Sequence, residues 1–333
     1  MTSNLPLIRL SAINPFLLEL RRRGADAASL LRSLGLPGDI PASKELFVSS
    51  LAIYEFVERS AELAGDPNLG FALGNQLELH AWEPIASAAN EARTVGELLT
   101  RFTLHALEHS SSTRFYLRTD GERCTFGFER VVEPPIRPGQ NDAFYLGLIS
   151  RMLIHATQNA WDATQILFRV ADPDCIPQTS AGLRIATGDN RGIQVSFPAT
   201  WLLEPFERST YQVSVTEKSV EHPPDSLVDS VRAALMPHMH DPDLTVAKAA
   251  RICRYDRRQL SRGLRSEGTT ISKEIAKLRA EKAEKDLADT NQRVADIAQT
   301  VGFTDPTVFS RAFKNWTGQS PQEYRRTHRS PNR

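Results

Sequence analysis

At 333 residues the chain is long enough for two domains, and its 41% apolar content is that of an ordinary globular protein. No run approaches the ~18 unbroken apolar residues of a membrane helix. Three scattered cysteines (Cys124, Cys175, Cys253) exclude a zinc pattern or a disulfide framework, and Met1–Leu10 lacks a signal-peptide pattern, so a reducing cytoplasm is expected and no membrane partner. The net charge of zero hides an asymmetry. Residues 225–333 hold 20 Lys+Arg against 14 Asp+Glu, net +6, and the whole chain has 40 of each, so residues 1–224 carry −6. A basic module beside an acidic one suggests a nucleic-acid-binding part attached to something else.

Residues 1–110 read mostly as helices. Asn14-Pro15 offers an N-cap and a first-turn proline, with Gly24 as the stop. Leu51, Tyr54, Phe56, Val57, Ala61 and Ala64 give a helical period over 50–64, ended by Gly65-Asp66-Pro67. Thr94-Val95-Gly96-Glu97 is a capping-box pattern that opens a helix running to about His109. Thr113–Leu117 and Cys124–Arg130 then read as two strands joined across Asp120-Gly121. Asn141-Asp142 starts a helix to about Gln158, and Ile166–Val170 and Gly192–Phe197 are further strands. The expected fold of this part is α+β, mostly helical with a small antiparallel sheet, over residues 1–215. The polar stretch 216–225, with its Pro pair, reads as a linker.

Residues 226–330 read as all-α, with two similar helix-turn-helix patterns joined by a long helix. In the first, Thr245 caps a helix with Val246, Ala249, Ala250 and Cys253 inward; Asp256 caps a second helix in which Leu260 and Leu264 face the core. That leaves Arg257, Arg258, Ser261, Arg262 and Arg265 on the outer surface, a set suited to the major groove because arginine pairs with guanine edges and phosphates. In the second, Ile297 and Val301 are core positions, Gly302 supplies the turn, and Asp305-Pro306 starts a helix with Phe309 and Phe313 inward. Thr307, Ser310, Arg311 and Lys314 remain outside. Ser320–Glu323 is another capping box, placing Tyr324 back on the unit. The joining helix, 271–288, has Ile275, Leu278, Ala283 and Leu287 inside. A solvated basic bundle would carry such a face too, but two capped units at fixed spacing favour duplex DNA as the partner.

The run Ile297-Ala298, Gly302-Phe303, Phe309-Ser310-Arg311-Ala312-Phe313-Lys314, Gly318, Ser320-Pro321 and Tyr324-Arg325 resembles the DNA-binding domain of the AraC/XylS family of regulators. The resemblance covers about residues 226–329. It implies base-facing roles for Arg258, Ser261 and Arg262, and for Thr307, Ser310 and Arg311. Two positions depart from the family: Arg254 stands where a turn glycine is common, and Pro306 replaces a polar side chain. The first ~210 residues resemble, more loosely, the arabinose-binding-like effector-sensing domain of some members, through Gly192–Pro198 and Trp201–Pro205. That implies an unknown small-molecule effector, a homodimer, or both, and RNA polymerase as a partner of the regulator.

Candidate effector residues are His80, Trp82, His105 and His155. His105 and His109 have the i, i+4 spacing of a metal pair, but no third ligand stands near, and two ordinary surface or boundary histidines are the preferred reading. No Gly-x-Ser-x-Gly, P-loop or Gly-x-Gly-x-x-Gly occurs, so neither a catalytic constellation nor a cofactor is expected. An enzyme with an appended DNA-binding tail and an architectural DNA-binding protein are the alternatives to a regulator.

Overall fold

In a computed structural model of the chain, residues 4–38, 46–78, 83–157, 161–178, 182–206 and 222–329 are described. The chain forms two compact units. One spans Pro6–Pro223; the other joins Pro224–Arg333 to Met1–Leu5. The stretch read as a linker falls largely on residues outside the described ones.

The first unit opens with a short strand β1 (Leu7–Arg9), then α1 (Asn14–Arg22) and α2 (Ala27–Ser33). Asn14 is not the N-cap the sequence suggests: it lies inside α1, and Ile13 takes the cap position without a side-chain bond. Strand β2 (Phe47–Ser49) pairs antiparallel with β1 and leads into α3 (Ser50–Ala64), whose end is closed by Gly65 at φ +62°. Helices α4 (Leu69–Gln76), α5 (Glu83–Glu91) and α6 (Val95–His105) follow. Thr94 caps α6 by accepting from Glu97 N–H, while Glu97 reaches back to Arg93 N–H instead of the cap residue. A 3₁₀ turn over Ala106–Glu108 ends α6 before the expected His109.

Strands β3 (Thr113–Asp120) and β4 (Arg123–Arg130) form the expected hairpin, tightened by Gly121 at φ +57°. Helix α7 (Gly139–Thr157) starts two residues before the predicted Asn141-Asp142, which lie buried in its first turn. Strands β5 (Leu167–Val170), β6 (Arg184–Thr187) and β7 (Gly192–Pro198) complete a five-stranded sheet in the order β3-β4-β7-β5-β6. It is not wholly antiparallel, because β5 and β6 run parallel. Alternate residues Cys124, Phe126 and Phe128 of β4 and Ile193, Val195 and Phe197 of β7 are buried on one face, as a period of two demands. Phe102 of α6 meets Phe115 edge-on at 5.0 Å, and Tyr145 of α7 meets Phe128 at 4.9 Å, so α6 and α7 cover that face. Helix α4 lies close on α7 because Gly74 and Gly147 present no side chain. A Cβ on Gly74 would sit 2.0 Å from Phe144 O.

The second unit is helical throughout its described elements: α8 (Leu227–Leu235), α9 (Val246–Ile252), α10 (Arg257–Ser266), α11 (Ile271–Asp289), α12 (Val294–Thr300), α13 (Pro306–Thr317) and α14 (Pro321–His328). The capping signals act as their chemistry requires. Thr245 accepts from Lys248 N–H, Asp256 from Arg258 and Gln259 N–H, Thr270 from Lys273 N–H, and Asp305 from Thr307 N–H. Ser320 and Glu323 form a reciprocal box. The buried residues of α11 include the expected Ile275, Leu278, Ala283 and Leu287, and also Glu274, which accepts from Arg232 at 3.0 Å and Lys277 at 2.9 Å. Arg279 of α11 lies over the Phe303 ring at 5.4 Å and donates to Asp241 O at 2.8 Å, so it ties the loop before α9 to the turn before α13.

Two turns show what the backbone tolerates. Arg254, between α9 and α10, is the only non-glycine residue with positive φ among the described residues, at +51°; it takes a left-handed backbone that costs a side-chain-bearing residue about 1–2 kcal/mol. Gly302, between α12 and α13, has φ +77°, and a Cβ there would lie 2.8 Å from Met239 O and 2.9 Å from Asp241 O. Gly302→Ala is therefore expected to lower the thermal midpoint of the full chain much more than Gly318→Ala, whose site has φ +80° but open space around it. Both substitutions lose about 1–2 kcal/mol to the left-handed backbone; only the first adds a clash with fixed carbonyls. Equal melting losses for the two variants would contradict this account.

Candidate DNA interface and ligand cavity

Helices α10 and α13 carry the sequence-predicted DNA-reading residues. Leu260 and Leu264 of α10, and Phe309 and Phe313 of α13, are wholly buried, which turns the opposite faces outward. Arg257, Arg258, Arg262 and Arg265 are exposed on α10, and Thr307, Arg311 and Lys314 on α13; Ser261 and Ser310 are half-buried. Ser310 Oγ donates to Pro306 O at 2.8 Å, so its proton is spent inside the helix. Neither helix contains an acidic residue. Several basic side chains elsewhere in the unit are paired: Arg232 with Glu274 and Glu281, Lys248 with Asp241, Lys277 with Glu274, Lys282 with Asp286, and Arg293 with Asp296. Arg257, Arg258, Arg262, Arg265, Arg311 and Lys314 have no ion pair or side-chain hydrogen bond among the described residues, which leaves six cations uncommitted. The sequence reading missed Val308, an apolar side chain 47% exposed on the first turn of α13. Its signal was the pair Phe309 and Phe313 facing inward, which forces its neighbour out.

The first unit holds a cavity of about 420 Å³. Its walls come from β1, the turn after it, the start of α1, α3, α6, the 106–110 turn and α7. Ile8, Leu18, Leu77, Phe102 and Phe115 supply apolar surface. Arg9, His109, Ser110, Asn141 and Tyr54 supply the polar groups. The sequence candidates fare unevenly here. His105 does not line the cavity; it closes α6, with Nδ1 3.3 Å from Glu108 Oε1. His155 is exposed on α7, away from the cavity. His80 and Trp82 lie outside the described residues. His109, read from the sequence as a surface or boundary histidine, is half-buried and lines the cavity, where Arg9 N–H binds its carbonyl at 3.0 Å and holds the 106–110 turn against β1.

Beneath the cavity lies an ion pair with no solvent access to either side chain, Arg130 to Asp142. Burial opposes the charge on Arg130, but the facing carboxylate outweighs it and holds the guanidinium's pKa above its usual value. Arg130 also donates to Asn141 Oδ1 at 2.9 Å, and Asp142 accepts from Ala171 N–H at 2.8 Å. Glu58 of α3 accepts from Gln140 N–H at 2.9 Å and Asn141 N–H at 3.2 Å, and burial pushes its carboxyl up to about 7. Burial, with Arg9 close by, lowers the His109 imidazole to about 4. No cluster of three or more metal-ligating side chains occurs among the described residues.

The family model described as the arabinose-binding domain of AraC transcription regulators matches residues 24–205, more than half of the chain. The chain belongs to the AraC family of transcription regulators. A helix-turn-helix domain model matches residues 249–327 of this regulator. The regulator VirS of Mycobacterium tuberculosis is 23% identical over 323 residues, covering 92% of each chain. The transcriptional activator NphR of Rhodococcus sp is 33% identical over 98 residues, 29% of each chain. The crystal structure of the transcriptional regulator CdpR from Pseudomonas aeruginosa covers 92% of this chain and 98% of its own, at 19% identity and a TM-score of 0.35. This AraC-family chain is thus a transcription regulator with an N-terminal arabinose-binding-like domain and a helix-turn-helix DNA-binding domain. Family and relatives alike are regulators and not enzymes. No helix among the described residues is long and apolar enough to cross a membrane.

The two shifted groups bound the regulator's pH range. Glu58 favours its protonated form in the fold, so its contribution is full below its ordinary pKa and is lost as pH rises through about 7. His109 favours its neutral form, so its contribution is present above its ordinary pKa and is lost as pH falls through about 4. Thermal midpoints are expected to be highest between these limits. Glu58→Gln should flatten the alkaline side only, and NMR should find the His109 ring neutral at pH 5.5; a His109 titration at the ordinary value near 6.5 would refute the acid-side account.

Proposed function

We propose that this regulator reads duplex DNA with α10 and α13 in successive major grooves and answers to a small molecule bound in the cavity of its first unit. Residues 1–215 serve as the sensing and dimerisation part, 216–225 as linker, and 226–330 as the DNA-binding part. One observation carries the DNA reading: six cations without an ion pair stand exposed on two acid-free helices, while Arg232, Lys248, Lys277, Lys282 and Arg293 of the same unit are held by carboxylates. Unpaired arginine exchanges water for phosphate and guanine acceptors without first breaking an internal ion pair. The joining helix α11 has 19 residues. At 1.5 Å per residue it is about 28 Å long, near the ~34 Å that separates successive grooves on one face.

Roles follow from position. Arg258, Arg262 and Arg311, with Ser261, Ser310 and Thr307, face bases; Arg257, Arg265 and Lys314 meet phosphates. Val308 adds an apolar contact for a thymine methyl group. The cavity supports the sensing role because it combines apolar walls with a few converging polar groups, the composition of ligand sites.

Footprinting of the full chain on the region upstream of its own gene is expected to show two protected major grooves about one helical turn apart. Arg311→Ala is expected to cost about 1–3 kcal/mol and to relax preference at one base pair. Lys314→Ala is expected to weaken all sequences alike and to reduce the salt slope by about one. Protection of a single groove, or none at any salt, would overturn the paired reading.

A further inference from the structure

We propose that the cavity takes an uncharged apolar molecule with a carbonyl-type oxygen (a ketone, ester or lactone), the oxygen held by Asn141 and Thr113 and the body lying against Phe102 and Phe115. This rests on reading the cavity as the effector site and adds the chemical class of its occupant.

Two buried donors in the wall decide the head. Asn141 is 8% exposed, and its Oδ1 accepts from Arg130. A guanidinium can only donate, so the amide cannot be flipped: its oxygen faces Arg130 and its NH₂ group faces away. That NH₂ has no hydrogen-bond partner among the described residues, on a side chain that lines the cavity. Thr113 is 7% exposed and shares a face of β3 with Phe115, two positions on. It too lines the cavity, and its hydroxyl has no hydrogen-bond partner among the described residues. A buried donor left without an acceptor is costly, and a ligand oxygen with two lone pairs satisfies both groups at once.

Nothing in the wall is left over to balance a charge. No aspartate or glutamate lines the cavity among the described residues, so an amine would find no counter-charge there. Arg9 is already engaged: its Nε donates to Glu108 O at 3.3 Å, its guanidinium lies over the Phe47 ring at 5.6 Å, and it has a further partner besides. It is a fastened part of the wall and not a free receptor for a carboxylate. The burial that keeps the His109 ring neutral penalises a charged head in the same way.

The remaining wall decides the body. Ile8, Pro15, Leu18, Leu77, Phe102 and Phe115 offer no hydrogen bonds from their side chains. A sugar would bury several hydroxyls against them without partners. Phe102 and Phe115, edge-on at 5.0 Å, present ring surface to a carbon chain or a second ring.

The test uses the full chain with benzylacetone and methyl heptyl ketone as neutral ketones, and hydrocinnamate, phenylpropylamine, propylbenzene and L-arabinose as controls, followed by calorimetry and thermal shift. Both ketones are expected to bind and raise the midpoint. Hydrocinnamate should bind at least about tenfold more weakly than benzylacetone, and phenylpropylamine and arabinose should leave the midpoint unchanged. Thr113→Val, which keeps the side-chain shape, and Asn141→Asp, which keeps the oxygen facing Arg130, are each expected to weaken benzylacetone several-fold without affecting propylbenzene. Thr113→Val alone decides should Asn141→Asp fail to fold; equal losses for the ketone and propylbenzene in Thr113→Val would overturn the assigned donor. Ala12→Trp, at an exposed rim position of the cavity, should block every probe that enters. Acid, amine or sugar binding tighter than the ketones, and abolished by Ala12→Trp, would overturn the neutral class while leaving the cavity as the ligand site. Ketone binding indifferent to Ala12→Trp would place the ligand elsewhere and overturn both. Failure of both ketones to bind at millimolar concentration overturns the neutral class.

Discussion

The ion pair between Arg130 and Asp142 is the constraint on which the first unit depends. Removing two charges from water is costly, and the pair persists because nearly every group around it is satisfied. Asp142 takes one bond from Arg130 and another from Ala171 N–H at the end of β5; Arg130 gives another to Asn141 and lies over the rings of Tyr54 and Phe128 at 5.2 Å. Strand β4, strand β5, α3 and α7 therefore meet at one point. With Glu58 accepting from the first N–H groups of α7, the start of that helix is held from two sides. A buried pair of this kind contributes more to a unique arrangement than to net stability. Here the arrangement it specifies is the floor of the cavity, including the direction in which the Asn141 amide points.

The second unit solves a different electrostatic problem. A basic surface that must meet phosphate should not be neutralised from within, yet a helical unit with many lysines and arginines needs carboxylates to limit its own repulsion. The chain separates the two demands by element. Carboxylates sit on α11, on α12 and in the loops, where they clamp α8 to α11 through Glu274 and hold Lys248, Lys282 and Arg293. Helices α10 and α13 have acids only at their caps: Asp256 and Asp305 at the N-caps and Glu267 at the C-cap of α10, each carboxylate accepting from backbone N–H groups. Arg279, bridging Asp241 O and the Phe303 ring, then makes the two helix pairs parts of one body.

Legibility in the sequence followed the range of the interaction. The helices of the second unit from α9 onward were readable almost to the residue because their signals are local: Thr245, Asp256, Asp305-Pro306 and Ser320–Glu323 each act within four residues; α8 was not read from the sequence. The hairpin at Gly121 and the end of α3 at Gly65 were readable for the same reason. Strands β1, β2 and β6 were not read, and the parallel pairing of β5 with β6 leaves no local mark. Asn141-Asp142 imitated a helix start while serving as buried partners of Arg130.

The sequence by itself determined the regulator's class and the exposed basic faces of α10 and α13, because amphipathic period, caps and charge sort a helix's two faces without reference to distant residues. Tertiary structure decided the cavity and which histidine lines it. His109 and Arg9 are a hundred positions apart and meet only through a backbone bond from β1, and Asn141 joins them from α7. No spacing rule encodes a site whose parts are brought together by strand pairing and a buried charge pair, so the pocket became readable only once the chain was folded.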